Sequence, residues 1–275
     1  MRGGNIVGFH NDYYKGRRVL VTGCTSGIGA AVARHLFSEK AHVIGIDRHE
    51  PHEGVNEFLQ TDLGDPASIA KTIDGVKGPI GSVFNCAGLS GGAADPTTVL
   101  RVNFMGLRAL TEGVLPHMSR GAAIANTSSA GGAGYMSNLD QLLLLVRTDG
   151  FDDAMEWCQE NNAYIADKGG YRVSKEAIIV YTLDRCIDLA QRGIRINSIG
   201  PGITDTPMLA DSVRVYGEQY LENVPKPLGR ISTAEEQANI LLFLNSDEAS
   251  YVNGQHIWSD GGLLSGKIVG RVQWQ

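Results

Sequence analysis

The stretch VLVTGCTSGIGAAVA, residues 19–33, constrains the fold more than any other part of the chain. An apolar run ends at Thr22, then Gly23, Gly27 and Gly29 follow closely, and an alanine-rich segment continues at helical spacing. Together these read as a strand, a tight turn and a helix. Glycines at such a turn let the backbone approach a pyrophosphate closely, with the anion seated on the N-terminus of the helix. Thr25, Ser26 and Ile28 lie in the same turn as further candidate contacts. A strand running straight into a helix commits the chain to βα units, and so to a parallel sheet covered by helices.

Small residues also simply pack a turn, so the next strand decides. HVIGID closes on Asp47, at about the 20-residue offset where a carboxylate accepts hydrogen bonds from adenosine ribose hydroxyls and repels a 2′-phosphate. CTSGIG holds no Lys or Arg, and Arg48 is the one cation placed to pair with such a phosphate. NAD is the expected cofactor, with NADP the alternative that Arg48 leaves open. Asp62 and Leu63, in LQTDL after the third strand, are placed toward the adenine; Asp62 reads equally well as a helix cap.

The rest of the chain repeats the rhythm. Apolar strand candidates are Arg18–Thr22, Ala41–Ile46, Glu57–Gln60, Ser82–Asn85, Ala122–Thr127, Arg195–Ile199 and Gln255–Trp258. Helices fill the gaps, among them Ser26–Ser38 and Tyr171–Gln191, the latter stopped by Gly193. Ser232 with Glu235 reads as a capping box opening a helix over Thr233–Leu244. The expectation is an α/β fold, a doubly wound parallel sheet of about seven strands with helices on both faces, as one domain over 1–275. The interval from Ser129 to Tyr171 is too long for a plain connection. NLDQLLLLVRTDG and FDDAMEWCQENN read as short amphipathic helices there, so 134–168 is expected as a helical insertion. It would be solvated surface, a cover over the site or part of a subunit interface.

Composition removes several function classes. A net charge of −6 lacks the basic excess that a nucleic-acid or anionic-membrane surface needs. The longest apolar run, Leu142 to Val146, is far short of a membrane span, and the first residues lack the apolar core of a secretory signal. Cys24, Cys86, Cys158 and Cys186 are widely spaced with no CxxC, which suits reduced thiols in a cytoplasmic protein. The seven histidines show no HExxH spacing, and no metal is expected.

One chemical pattern occurs twice. In YIADKGGYRVSKEA, Tyr164 precedes Lys168 by four residues and Tyr171 precedes Lys175 by four. On a helix that spacing puts both side chains on one face. An ammonium beside a phenol favours the phenolate, which turns a group with an ordinary pKa near 10 into a usable base. The breaker Gly169-Gly170 makes a rigid helix through Tyr164 and Lys168 unexpected, whereas EAIIVYTLDRCIDLAQ continues for several turns after Lys175. Tyr171 and Lys175 are therefore the expected working pair, with Tyr164 at most edging a substrate pocket.

With TGCTSGIG, the FNCAG run at 84–88, Asn103 in RVNFMG, Ser128-Ser129, YRVSK and INSIGPGITDTPM in this order, the chain resembles the short-chain dehydrogenase/reductase family. The resemblance runs from about Lys15 to Gly262. It implies a Rossmann-type sheet, a nicotinamide cofactor and alcohol–carbonyl interconversion. It implies Tyr171 as acid/base, Lys175 as its activator and a ribose ligand, Ser129 as the group orienting the substrate oxygen, and Asn103 as anchor of a water leading to Lys175. Ser128 is the alternative serine. Asn85, Ala87 and Gly88 are implied at the adenosine ribose, with Cys86 where the family more often has asparagine. Pro201, Gly202, Ile203 and Thr206 are implied at the carboxamide. In the loop 203–228, Met208, Leu209, Val213 and Tyr216 would line an apolar substrate pocket. Short segments after Asp62 and Gly88 and the long Ser-to-Tyr interval resemble the bacterial 3α-hydroxysteroid and coniferyl-alcohol dehydrogenase group. The implied substrate is a hydrophobic secondary or aryl alcohol, or its ketone. A homodimer or homotetramer is implied too, with the apolar tail GLLSGKIVGRVQWQ docking on a partner subunit. An NADPH-preferring carbonyl reductase is the second enzyme reading. Enoyl reduction is not expected, because that branch has a Tyr-x6-Lys spacing and position 168 is lysine. A non-catalytic dinucleotide-binding scaffold is the reading outside enzymes; such members lose the Ser, Tyr or Lys retained here.

Overall fold

In the computed structural model, residues 12–217 and 219–273 are described, the side chains of Val215, Tyr216 and Tyr220 excepted. In chain order the strands are β1 (Arg18–Thr22), β2 (His42–Asp47), β3 (Glu57–Gln60), β4 (Ile80–Asn85), β5 (Met118–Thr127), β6 (Arg195–Pro201), β7 (Thr204–Asp205), β8 (Ser232–Thr233) and β9 (His256–Ser259). Seven of them form one parallel sheet in the order β3-β2-β1-β4-β5-β6-β9, and β7 pairs separately with β8. The order reverses between β1 and β4, where Thr22 stands opposite Asn85. Connections leave that point in opposite directions and open a crevice at the carboxyl ends of the strands.

Helices cover both faces: α1 (Gly27–Ser38), α2 (Pro66–Gly75), α3 (Pro96–Leu100), α4 (Leu107–Val114), α5 (Leu139–Val146), α6 (Gly150–Glu160), α7 (Asn162–Lys168), α8 (Gly170–Gln191), α9 (Pro207–Tyr216), α10 (Gln219–Asn223), α11 (Ala234–Asn245) and α12 (Leu263–Ile268). One core lies between the sheet and α1 with α11, and includes Val19, Val21, Leu36, Phe84 and Leu241. Tyr14 closes it, fully buried, with its hydroxyl donating to the Leu242 carbonyl at 2.6 Å. The other core lies beneath α2, α4 and α8 and takes in Leu20, Ile44, Ile80, Phe104, Ile124 and Tyr181.

The insertion belongs to this second core. Leu142, Leu145, Trp157, Cys158 and Ile165 bury their side chains against α8 and the segment before α4. The buried Glu176 of α8 accepts from Asn138 Nδ2 at 2.8 Å and from Arg172 Nε at 2.9 Å, tying the start of α5 to the long helix. None of the residues 134–168 is among those lining the cleft described below.

Two local expectations are corrected. The capping box lies one residue later: Thr233 Oγ1 accepts from Glu236 N, and the Glu236 carboxylate accepts from Thr233 N. Ser232 is drawn instead into the β7–β8 pairing, and its hydroxyl donates to the Ile203 carbonyl. Tyr164 and Lys168 do lie on a helix, the short α7. Gly169, at a φ of 83°, ends that helix, so the break falls between the two Tyr–Lys pairs.

Candidate active site

The expected nucleotide turn is built from contacts that exclude side chains. A Cβ on Gly29 would lie 2.2 Å from the Gly23 carbonyl oxygen, and one on Gly23 would lie 2.8 Å from Ala87 N. Helix and strand ends therefore touch backbone to backbone, which leaves the first amides of α1 open to an anion. Gly29→Ala is expected to open this turn and weaken binding of a reduced nicotinamide dinucleotide roughly tenfold, about 1.4 kcal/mol, in a fluorescence titration. Thr22 Oγ1 accepts from Cys86 N at 3.0 Å and Ala87 N at 3.1 Å, fixing the β4 end loop beside the turn.

Asp47 is held by three backbone amides: Thr25 N at 3.1 Å, Arg48 N at 2.7 Å and His49 N at 3.5 Å. Its carboxylate closes one end of a cleft of about 600 Å³ at the carboxyl edge of the sheet. Gly23, Thr25, Ser26, Gly27, Ile28, Asp47, Arg48, Asp62, Leu63, Ala87, Gly88, Pro201, Gly202, Ile203 and Thr206 all line it. The lining suits a dinucleotide in its chemistry: glycine backbone, a helix N-terminus and a fixed carboxylate. Asp62 lines the cleft and its Oδ1 accepts from Gly64 N at 2.7 Å, whereas the cap of α2 is Asp65, whose carboxylate accepts from Ala67 N at 3.0 Å.

Asn85 is a correction. Its side chain turns inward and donates to Asn126 Oδ1 at 2.8 Å and Thr111 Oγ1 at 2.9 Å, away from the cleft. Asn85 and Asn126 are register partners on adjacent strands, so their side chains meet on the same face of the sheet.

Ser129, Tyr171 and Lys175 line the same cleft. Helix α8 is buried almost all round near its start, where Val173, Ser174, Lys175, Glu176 and Ala177 are covered by the sheet, α3 and the insertion. Gly170 backs onto the Pro96 carbonyl so closely that a Cβ there would lie 1.8 Å from that oxygen. Lys175, 4% exposed, donates from Nζ to the Thr127 carbonyl at 3.0 Å and lies 5.6 Å from the centroid of the Tyr171 ring. Burial pulls its pKa down to about 8, so at neutral pH it still carries its proton. The unfolded chain holds that proton up to its ordinary value of 10.5. Stability therefore rises between those two pH values, and below them the buried ammonium is a standing cost to the fold.

The two serines separate by their bonds. Ser128 Oγ donates to the Lys175 carbonyl at 2.7 Å and is buried, fixing α8. Ser129 is half-buried, begins the 3₁₀ turn Ala130–Gly132, and faces the cleft with Oγ accepting from Gly131 N at 3.1 Å.

Asn103 sits in a π-helical segment, Arg101–Gly106, the kind of local widening that recurs at functional sites. It is fully buried and does not line the cleft. Its Oδ1 accepts from Leu89 N at 2.6 Å, and its Nδ2 donates to Leu89 O at 3.0 Å and to Ser174 Oγ at 3.2 Å. Ser174 in turn donates to the Tyr171 carbonyl at 2.7 Å. Asn103 thus braces the loop after β4 against the first turn of α8.

The substrate-side expectations divide. Met208 and Leu209 line the cleft. Val213 does not, Ser212 taking its place, and the Tyr216 side chain is outside the described residues. Tyr164 is a further correction: it packs edge-on against Trp157, ring centroids 6.4 Å apart, and burial lifts its pKa to about 12. Sequence reasoning missed Leu89, Ser90, Gly131, Val224 and Leu263 among the lining residues. Gly131 had a signal, lying two residues beyond Ser129; Val224 and Leu263 reach the cleft only through tertiary packing. Among the described residues no cluster of ligand side chains could hold a metal ion.

Residues 17–139 match the family described as short chain dehydrogenase, and residues 159–264 match the one described as enoyl-(acyl carrier protein) reductase. The coniferyl-alcohol dehydrogenase of a Pseudomonas strain is 36% identical over 250 residues, 90% of this chain and 97% of that one. The 3-alpha-hydroxysteroid dehydrogenase/carbonyl reductase of Comamonas testosteroni is 30% identical, covering 89% and 95%. Among solved structures, the 3-alpha-hydroxysteroid dehydrogenase from Pseudomonas sp. B-0831, complexed with NADH, aligns with a TM-score of 0.76 at 28% identity, covering 93% of this chain and all of that one. A shared fold and matches that span nearly the full length give one conclusion: the chain belongs to the short-chain dehydrogenase family and is an oxidoreductase acting on alcohol groups.

Proposed function

We propose that the protein is an NAD-dependent dehydrogenase that interconverts a hydrophobic secondary or aryl alcohol and its carbonyl. The observation that carries this reading is the buried Lys175 ammonium held beside the Tyr171 ring, at the end of the cleft that Ser129 and the glycine turn share. When bound, the nicotinamide cofactor supplies the hydride acceptor. The chain's own residues do the rest. Tyr171 takes the alcohol proton as the carbon–oxygen double bond forms, and in the reverse direction returns it. Lys175 favours the phenolate electrostatically. Ser129 donates a hydrogen bond to the substrate oxygen, and Asn103 holds the loop and helix that carry the site. Gly23, Gly27 and Gly29 cradle the pyrophosphate, Asp47 takes the ribose, and Ile203 and Thr206 hold the carboxamide.

NAD is favoured over NADP because Asp47 is fixed by three amides at the ribose end, where its charge opposes a 2′-phosphate. Arg48 lines the same end and supports the second reading, an NADPH-preferring carbonyl reductase. The apolar wall of Met208, Leu209, Val224 and Leu263 supports a hydrophobic substrate, as do relatives named for hydroxysteroids and coniferyl alcohol. The four free cysteines suit a cytoplasmic protein, and no described helix is long and apolar enough to cross a membrane. A homodimer or homotetramer is the assembly proposed, on the exposed Ile268 and Val269 near the chain end; light scattering measures it directly.

The test is a panel of hydroxysteroid, aryl and aliphatic alcohols assayed with NAD and with NADP by nicotinamide absorbance. Turnover of the hydrophobic members with NAD, at a kcat/KM at least roughly tenfold above NADP, is expected. Turnover with NADP alone would overturn the Asp47 argument and leave the carbonyl-reductase reading.

A further inference from the structure

Gly131 stands two residues beyond Ser129, in the 3₁₀ turn, exposed in the cleft. Most glycines around this site are forced. Gly29 would place a Cβ 2.2 Å from backbone, Gly23 at 2.8 Å and Gly202 at 2.9 Å. Gly131 is different. Its φ is not among the left-handed values, so the turn does not demand glycine. A Cβ built on it would lie 3.5 Å from Ser129 Oγ, 3.5 Å from Tyr171 Cε1 and 3.9 Å from Tyr171 Cδ1. Those are ordinary contact distances, so the protein itself would accept a side chain there.

What the bare backbone leaves is space, and its position is informative. Cε1 is the ring carbon next to the one that bears the Tyr171 hydroxyl. A Cβ at 131 would therefore fill the volume flanking the two hydroxyls that hold the substrate oxygen in the proposed function, on which this inference rests. A carbon bonded to an oxygen held there is about one further bond away, close enough for a substituent on it to extend over residue 131. Met208, Leu209, Val224 and Leu263, which line the same cleft, carry apolar side chains that take up room Gly131 leaves free. A broad substituent therefore finds room over Gly131, where a Cβ would meet nothing nearer than 3.5 Å.

We propose that Gly131 sets substrate width: its missing side chain admits alcohols whose carbinol carbon is part of a ring or directly attached to one, and a side chain there excludes them. The structure makes this a steric filter of the kind in which a methyl group in a pocket changes discrimination by roughly 10- to 200-fold.

The experiment measures kcat/KM with NAD for wild type, Gly131→Ala and Gly131→Val. The substrates are ring alcohols (a 3-hydroxysteroid and 1-phenylethanol) and the narrow open-chain 2-butanol. The ratio of ring to open-chain kcat/KM is expected to fall at least roughly tenfold in Gly131→Ala and further in Gly131→Val. NADH titration and thermal melting of each variant report whether it is folded, and misfolding would depress both substrate classes together with cofactor binding. A ratio that stays at the wild-type value in a folded Gly131→Ala, or that rises, overturns the filter while leaving the oxidoreductase reading intact. A wild type that oxidises neither class overturns the roles given to Tyr171 and Ser129, and the filter with them.

Discussion

Tyr171→Phe is expected to lower kcat by about a thousandfold or more while NADH binding stays within a few-fold of wild type. The substitution removes one hydroxyl and leaves the ring, so the packing at the start of α8 and the position of Lys175 are retained. The proton of the alcohol then has no phenolate to receive it, and Lys175, already committed to the Thr127 carbonyl, is not placed as a substitute. Tyr164→Phe is the matched control, because Tyr164 has the same Tyr-x3-Lys spacing but packs on Trp157 outside the cleft. Steady-state turnover on the best alcohol of the panel, with a parallel NADH fluorescence titration, reads both variants. Near-normal turnover in Tyr171→Phe, or a comparable loss in Tyr164→Phe, would remove the assignment of the working pair.

That contrast also indicates which parts of the site were legible in the sequence. The glycine turn, Asp47 and YRVSK are local patterns whose chemistry depends on spacing along one element, and Gly23, Gly27, Asp47, Tyr171 and Lys175 line one cleft. Failures arise where a single residue of register or a distant neighbour decides. Asn85 ends a strand, and alternation sends its side chain inward to Asn126 rather than outward to a ribose. Ser232 has the composition of a cap but is taken by the pairing with β7, so the cap passes to Thr233. A breaker after Lys168 ends α7 without preventing it, because two turns of helix need only the packing that Ile165 and Tyr164 supply. The insertion's role was the least legible part. Its apolar stripe is periodic, but periodicity does not say which surface the stripe meets. The fixed points that answer this are a buried carboxylate, Glu176, and a buried guanidinium, Arg108, each bonded across some 40 positions of chain.

Arg108→Met is accordingly expected to destabilise the fold by about 3 kcal/mol, a lowering of Tm by roughly 6 °C or more. Arg108 is 2% exposed on α4, immediately after the π-helical segment that carries Asn103, and its hydrogen bonds among the described residues go to carbonyls and a hydroxyl. Its Nη1 donates to the carbonyls of Leu145 at 3.2 Å and Val146 at 3.1 Å and to Thr148 Oγ1 at 2.8 Å, and its Nη2 donates to the Gly150 carbonyl. These acceptors are the C-terminal end of α5 and the bend into α6. A cation there complements the negative end of α5 and adds charged donors to the last carbonyls of that helix. Burial opposes the charge and lowers the Arg108 pKa, yet the guanidinium stays protonated because its ordinary value is so high. Methionine matches the stem in volume and fills its channel, so the loss isolates the guanidinium's hydrogen bonds rather than a cavity. Arg147, on the exposed side of the same bend and paired with Asp184, is the comparison. Its replacement by methionine should hardly move the melting point, because a solvated ion pair contributes little. Circular dichroism melts and limited proteolysis around 147–150 measure the difference. An Arg108→Met melt indistinguishable from that of Arg147→Met would mean that apolar packing alone holds the insertion, and that the buried cation is dispensable to it.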